Sequence, residues 1–243
     1  MSRLKNITAI VLNKRDFMES DLFLTLLDDE GKRFEVLVKG AGSQKSRRRR
    51  HLERMNLIKG TLYEGKTHLY LQDVECQSSF SLLKDDLDRI LQASVLLELT
   101  ERCLFPDDPH QEIYTLILHT LELLNKKDAQ SHVIDISLVQ LANHLGYLPN
   151  FRECSQCHGE KIEENLHWDR EHGTLHCDDC GLIRRPLSMK YRKAMEFFRQ
   201  SQVKLPQQLK LGKLEHEELR SLIYELFQAH LHAPLKSLSF SSL

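Results

Sequence analysis

The sequence predicts an α+β fold: a small barrel of five β-strands comes first, and an α-helical domain interrupted by a four-cysteine insertion follows. Three observations carry this expectation. The apolar period changes from about 2 to about 3.6 residues near position 80. Pro is absent before Pro106 and Gly is absent between Gly65 and Gly146. Four of the six cysteines fall into two Cys-x-x-Cys pairs. These shifts divide the chain into segments 1–80, 81–150, 151–185 and 186–243, with the third inserted in a single helical bundle formed by the second and fourth.

In the first segment, β-rich runs cover Ile7–Leu12, Asp21–Leu27, Phe34–Val38, Asn56–Tyr63 and Thr67–Cys76. Asp28-Asp29-Glu30-Gly31 and Glu64-Gly65-Lys66 carry the turn residues of hairpins. Five short strands fit a barrel of the OB type better than a sandwich, which uses about seven or more. From Leu83 the spacing is helical. Ile113, Leu116, Ile117, Leu121 and Leu124 form one stripe, and Ile134, Leu138, Leu141, Ala142 and Leu145 a second. Gly146 stops that helix and Pro149 keeps the chain extended. Ser188 is placed to cap a helix through Phe198, and Leu219, Leu222, Ile223, Leu226 and Phe227 form a last stripe.

The net charge of −1, from 34 basic and 35 acidic residues, excludes a uniformly basic protein. With 28% charged and 41% apolar residues, wholesale disorder is excluded too. Neutrality here is cancellation: residues 1–80 hold 15 basic and 11 acidic side chains, 81–153 hold 6 and 12, and 154–243 hold 13 and 12. No apolar run approaches the ~20 residues needed to span a bilayer, and no signal-peptide core follows Met1. A cytoplasmic protein without membrane contact is expected.

Cys154-Ser-Gln-Cys157 and Cys177-Asp-Asp-Cys180 have the spacing of a four-cysteine zinc site. Each turn presents two thiolates to one ion, and Leu166-His-Trp168 and Thr174-Leu-His176 read as ribbon strands around Gly173. Gly159 and Gly181, just past the turns, are expected at positive φ. A closed set of four thiolates leaves no position for water, so one structural Zn2+ is expected rather than a catalytic ion. Structural disulfides, a redox pair and an iron–sulfur cluster are the weaker readings. His158 and His176 are read as bystanders, and Cys76 and Cys103 as buried thiols.

The second chemical signal is Lys39-Gly-Ala-Gly-Ser-Gln-Lys-Ser-Arg-Arg-Arg-Arg50, a strand end leading into a flexible cationic loop. Four adjacent arginines repel one another and become favourable beside phosphates, where each neutralised charge releases a counterion. On a small barrel such a loop pairs with stacking aromatics. Alternation in the fifth strand puts Leu69 and Leu71 on one face and Tyr70 on the other. Phe34 shares its face with Val36 and Val38, which is a core pattern, whereas both faces of the strands bearing Phe23 and Tyr63 carry apolar residues and leave these two open. No phosphate-binding loop or nucleophile elbow occurs. The acidic pairs Asp85-Asp86 and Asp107-Asp108 are explained as helix starts. No enzymatic activity is expected.

The ordered set of motifs resembles the RecO family of bacterial recombination mediators. The resemblance rests on Val38-Lys-Gly-Ala41 followed by a basic loop with Lys45-Ser46, on Leu145-Gly-Tyr-Leu-Pro-Asn-Phe151 leading into Cys154-x-x-Cys157, and on His230-Leu-His-Ala-Pro-Leu-Lys-Ser237. It covers essentially the whole chain. It implies an OB-fold, a helical domain and a zinc ribbon. It further implies a nucleoid-associated protein that binds single- and double-stranded DNA, anneals complementary strands, and acts with RecR to load RecA onto DNA coated by single-strand-binding protein. On this reading Lys39, Lys45 and Arg47, Arg48, Arg49 and Arg50 contact DNA, with Lys14 and Arg15, expected in the loop after the first strand, and Tyr70 as additions. The family also receives the acidic tail of single-strand-binding protein in an apolar pocket with a nearby cation. Arg184, Arg185, Lys190, Arg192 and Lys193, a second basic cluster, could supply such cations or form a solvated helix face. The four-arginine run and the tail Ser239-Phe-Ser-Ser-Leu243, which replaces a commoner basic one, depart from the family pattern. The alternative reading is an OB-fold, zinc-ribbon protein that binds RNA or acts in translation.

Overall fold

The computed structural model describes residues 4–43, 46, 48–129, 132–160, 166–180, 185–201, 212–231 and 235. These residues fall into two compact units, the first running through 129 and taking in Leu235, the second spanning 130–234.

The first unit is built on a closed barrel of five strands: β1 (Leu4–Phe17), β2 (Asp21–Asp28), β3 (Arg33–Val38), β4 (Leu57–Glu64) and β5 (Leu69–Ser78), in the order β1-β2-β3-β5-β4. One strand must have two partners to close the ring, and β1 does so by its length. Its first half, Leu4 to Ile10, pairs with β4, and Ala9 to Phe17 pairs with β2 across an irregularity between Val11 and Asn13. Such a bulge bends a strand and increases its twist, which is what closure needs. The polar residues after Leu12 therefore continue the strand instead of leaving it. Lys14 and Arg15 lie within β1, opposite Leu24 and Phe23, and not in a loop.

Alternation sends Ile7, Ala9, Val11, Leu22, Leu24, Leu26, Val36, Val38, Ile58, Leu62 and Leu71 into one core, with Phe34 and Leu69 packed against it. The cationic segment ends in a 3-10 turn, Arg49–Leu52, that plugs the barrel with the fully buried Leu52. Burying a leucine contributes about 1.5–3 kcal/mol. This anchoring makes the end of the loop a fixed structure.

Helices α1 (Ser81–Lys84), α2 (Leu87–Cys103) and α3 (Gln111–Leu124) complete this unit. The Asp86 side chain caps α2 by accepting from the Arg89 amide at 3.2 Å. Asp107 and Asp108 instead precede α3 in a loop, where the Asp107 amide donates to the Arg33 carbonyl. Every residue of the first helical stripe is buried. Glu101 of α2 accepts from Asn13 and from the Thr25 hydroxyl, both at 3.0 Å, fastening the helix to β1 and β2.

The second unit contains α4 (His132–His144), the ribbon strands β6 (Leu166–Asp169), β7 (Thr174–His176) and β8 (Arg185–Leu187), α5 (Met189–Gln200) and α6 (Lys213–His230). The helices thus divide, α1–α3 with the barrel and α4–α6 with the ribbon, because the polar stretch Asn125 to Ala129 ends the α3 stripe before α4 begins. Gly146, at φ 72°, terminates α4, with the Tyr147 amide donating to the Ala142 carbonyl at 2.9 Å. Ser188 occupies the cap position of α5 without a side-chain cap bond. Asp135 of α4 is fully buried, and Arg220 and His216 of α6 donate to it at 2.6 and 2.8 Å. Among the described residues no helix is long and apolar enough to cross a membrane.

Gly31 shows how tightly the first unit is assembled. It sits at φ 81°, and a Cβ there would lie 2.1 Å from the His110 carbonyl carbon and 2.3 Å from the Gln111 amide nitrogen. Gly31→Ala combines left-handed strain with a backbone clash. It is expected to lower stability by at least about 2–3 kcal/mol in a denaturant titration; a change within about 0.5 kcal/mol would show that this loop can yield.

Candidate nucleic-acid interface and metal centre

The outer face of the barrel carries a line of side chains set by strand register. Arg15 opposes Phe23, Phe23 opposes Leu37, Leu37 opposes Tyr70 and Tyr70 opposes Tyr63. Directly opposed residues share a face, so these five point the same way, outward, because their neighbours Leu22, Leu24, Val36, Val38, Leu62 and Leu71 point in. Phe23 and Tyr63, which alternation alone leaves open, therefore join Tyr70. The rings touch in sequence: Phe17 to Phe23 at 4.6 Å, Phe23 to His68 at 5.3 Å, His68 to Tyr70 at 6.3 Å, and Tyr70 to Tyr63 at 4.8 Å, nearly parallel. Gly65 makes room for this row, since a Cβ would fall 2.3 Å from the Tyr70 ring.

Cations border the row. The Lys39 ammonium lies 5.0 Å above the Tyr70 ring, and the Arg15 guanidinium 4.8 Å above Phe23. Arg15 also donates to both oxygens of Glu35, at 3.1 and 2.9 Å. Arg48 donates to the Lys39 carbonyl at 2.9 Å, Arg49 donates to the Gly42 carbonyl, and Arg50 is exposed. The turn is tied to the β1–β2 hairpin by the Gly42 amide, which donates to the Ser20 carbonyl at 2.7 Å, and by the Gly40 amide, which donates to Asp21 at 2.8 Å. Lys14 is turned elsewhere and pairs with Glu53 at 2.6 Å. Lys45 and Arg47 lie outside the described residues. The structure thus gathers Lys39, Arg15, Arg48 and Tyr70 on one surface.

The second basic cluster does not stay together as a helix face. Arg184 lies outside the described residues, and Arg185 is exposed on β8. Lys190 pairs with Glu215. Arg192 is 3% exposed, its Nε donating to the Phe151 carbonyl at 2.8 Å, and burial lowers its pKa. Arg192 and Lys193 instead line a groove of about 410 Å³ with Arg152, Phe151, Met189 and Phe197, and Glu196 and Gln200 line it too. Sequence spacing could not find this groove, because Phe151 and Arg152 enter it from before the ribbon.

Cys154, Cys157, Cys177 and Cys180 come together with their sulfurs within 4.8 Å of one another, the one such group among the described residues. The arrangement could hold a metal ion. It is made by two tight turns: the Cys154 amide donates to the Gly159 carbonyl at 3.1 Å, the His158 amide to the Cys154 carbonyl at 2.9 Å, and the Cys180 amide to the Cys177 carbonyl at 3.1 Å. The left-handed residue of the first turn is His158, at φ 57°, and not Gly159; Gly181 lies outside the described residues. Strands β6 and β7 pair around Gly173, at φ 65°, as the spacing predicts. Burial opposes ionisation of Cys154, but hydrogen bonds to its sulfur from the backbone of Cys157, Cys177 and Gln156 bring the thiol down to about 6. Hydrogen bonding with Cys157 and Cys177 pushes Cys180 up to about 12. A pure thiol donor set with a preformed N–H cradle fits a soft divalent ion. Of the other cysteines, Cys103 is buried in α2 and Cys76 is only half-buried in β5.

Comparison with known proteins places these features in a family. The family model described as Recombination protein O N terminal matches residues 1–80, and that described as Recombination protein O C terminal matches 84–239. The DNA repair protein RecO of Desulfitobacterium hafniense is 31% identical over 71% of this chain and 63% of its own length. The proteins of that name from Desulforamulus reducens and Pelotomaculum thermopropionicum are 24% and 27% identical, over 98% and 96% of this chain and 94% and 91% of their own lengths. The matched region thus spans less than two thirds of the first of these relatives.

Metal uptake by the four thiols is open to direct measurement. Cobalt(II) should bind at one equivalent with thiolate charge-transfer and tetrahedral absorption bands, and Cys177→Ser should weaken it by at least about tenfold. Cys154 is ionised above pH 6 or so and takes up a proton below it, so affinity should fall by a further factor of about ten per pH unit from this thiol alone as pH drops below that value. Octahedral spectra, or an affinity indifferent to pH, would contradict the site.

Proposed function

Because the chain belongs to the recombination protein O (RecO) family, we propose that it is a non-enzymatic mediator of DNA repair and recombination whose barrel holds single strands along the register line from Arg15 to Tyr63. The observation that carries this reading is the row of rings bordered by Lys39 and the arginine turn. Rings at spacings near 5 Å offer stacking platforms for successive unpaired bases, and stacking is tolerant of sequence. The guanidinium of Arg48, at the Lys39 carbonyl, stands beside the row, where the phosphates of a strand lying on those rings would run, and Arg50 of the same turn is exposed. Neutralising the phosphates while bases stay accessible lowers the repulsion between two complementary strands. Annealing follows from that condition, for single strands and for the duplex they form.

The second unit has the features of a protein-binding body. The groove between Phe151, Met189 and Phe197 is apolar, with Arg152, Arg192 and Lys193 around it. That combination suits an acidic peptide with an apolar end, such as the tail of single-strand-binding protein, and accounts for Arg192 and Lys193 as cations for protein rather than DNA. In this reading RecR and RecA complete the loading step at the nucleoid. The metal at Cys154, Cys157, Cys177 and Cys180 is one structural Zn2+, which supplies folding free energy to a ribbon too small to form its own core.

Two measurements test the proposal. Tyr63→Ala or Phe23→Ala should weaken oligothymidine binding by roughly five- to a hundredfold and slow annealing in parallel, while Arg50→Ala should make the salt dependence shallower by about 0.7 in log–log slope. Unchanged binding and annealing in all three would overturn the barrel reading. For the groove, Phe197→Ala and Lys193→Glu should each weaken binding of the acidic tail peptide by at least about fivefold; a peptide that binds both variants as it binds the parent sits elsewhere.

A further inference from the structure

Lys39 sits where a nucleobase would have to go. Strand β5 lies between β3 and β4, so Tyr70 is approached from two sides. From β4 comes the Tyr63 ring, 4.8 Å away and inclined by only 12°. From the end of β3 comes the Lys39 ammonium, 5.0 Å from the ring centroid. Both faces of Tyr70 are therefore taken. Arg15 covers Phe23 in a similar way at 4.8 Å, but the two cations are not held alike. Arg15 also donates two hydrogen bonds to Glu35, whereas among the described residues Lys39 pairs with no carboxylate and rests on its ring by cation–π attraction. At an exposed site that attraction is weak enough to exchange for a phosphate.

We propose that Lys39 is a displaceable cover on Tyr70: in the free protein it shields the ring, and a phosphate of the incoming strand draws the ammonium away and opens the face to a base. The inference rests on the barrel being the single-strand surface and adds a selection device to it. A strand that carries phosphate uncovers its own stacking site. A strand with a neutral backbone must push the cover aside with nothing to receive it. Lys39 thus discriminates by backbone chemistry through ring access, separately from its contribution to the charge count.

The test compares oligothymidine with a thymine peptide nucleic acid of equal length, on the parent, Lys39→Ala and Lys39→Ala/Tyr70→Ala. The neutral strand should bind Lys39→Ala about two- to fivefold tighter than the parent, the factor lost with one exposed cation–π contact, and this gain should vanish when Tyr70 is also removed. Oligothymidine should bind Lys39→Ala with a log–log salt slope shallower by about 0.7, so that the variant matches or exceeds the parent at high salt. In the parent, the Lys39 ε-methylene protons should carry an upfield ring-current shift that oligothymidine abolishes. A neutral strand that binds Lys39→Ala no tighter than the parent, a gain that survives loss of Tyr70, or an ε-methylene shift unmoved by oligothymidine would each overturn the cover. Failure of oligothymidine to bind the parent at all would instead remove the barrel reading, and the cover with it.

Discussion

Register across the closed barrel is the constraint on which the functional face depends. Five strands close into a ring only when β1 bends at the Val11/Asn13 irregularity and serves both β4 and β2. Once the ring is closed, pleating sorts every residue to one side or the other, and a one-residue slip would exchange the two sets. The inward set is almost wholly aliphatic. Burying it fixes the register, and the register then aligns Arg15, Phe23, Leu37, Tyr70 and Tyr63 across all five strands. The row is thus a by-product of the core, with Leu37 buried beneath it.

The cationic segment depends on the same closure. Leu52 enters the barrel, and the Gly42 and Gly40 amides, donating to the Ser20 carbonyl and the Asp21 carboxylate, tie the segment to the β1–β2 hairpin. Arg48 and Arg49 then bend back to the carbonyls of Lys39 and Gly42. In the second unit the use of charge differs. Asp135 is buried against Arg220 and His216, and Arg192 is buried against the Phe151 carbonyl. For the buried Asp135, desolvation offsets much of the attraction to its partners. What remains accessible near Phe151 and Phe197 is a groove with cations at its edge.

Much of this was legible before any coordinates. Strand and helix identities follow from periodicities, and the buried stripes of α3 and α6 appear residue for residue. The cysteine spacing predicts the cluster, because two short turns leave the sulfurs few other arrangements. Other features were not legible, for identifiable reasons. Strand β1 outlasts its apolar run, since backbone pairing with β2 continues through Asn13, Lys14 and Arg15 whatever their polarity. His158, and not Gly159, takes the left-handed turn, between the hydrogen bond from the Cys154 amide to Gly159 and that from its own amide to Cys154. The basic residues after the ribbon form no common face, because Arg192 turns inward on α5 while Lys190 pairs with α6.

By itself the sequence determined the α+β class, the barrel, the four-thiol site and the presence of a basic segment near an outward tyrosine. These rest on local period and spacing, which are properties of neighbouring residues. The tertiary structure decided which rings stand together, which cations pair with a carboxylate and which rest on a ring alone, and where an apolar groove opens. Those depend on segments distant in the chain meeting at a given register, as Leu37 and Tyr70 do, and pairing over that distance leaves no mark on either segment alone.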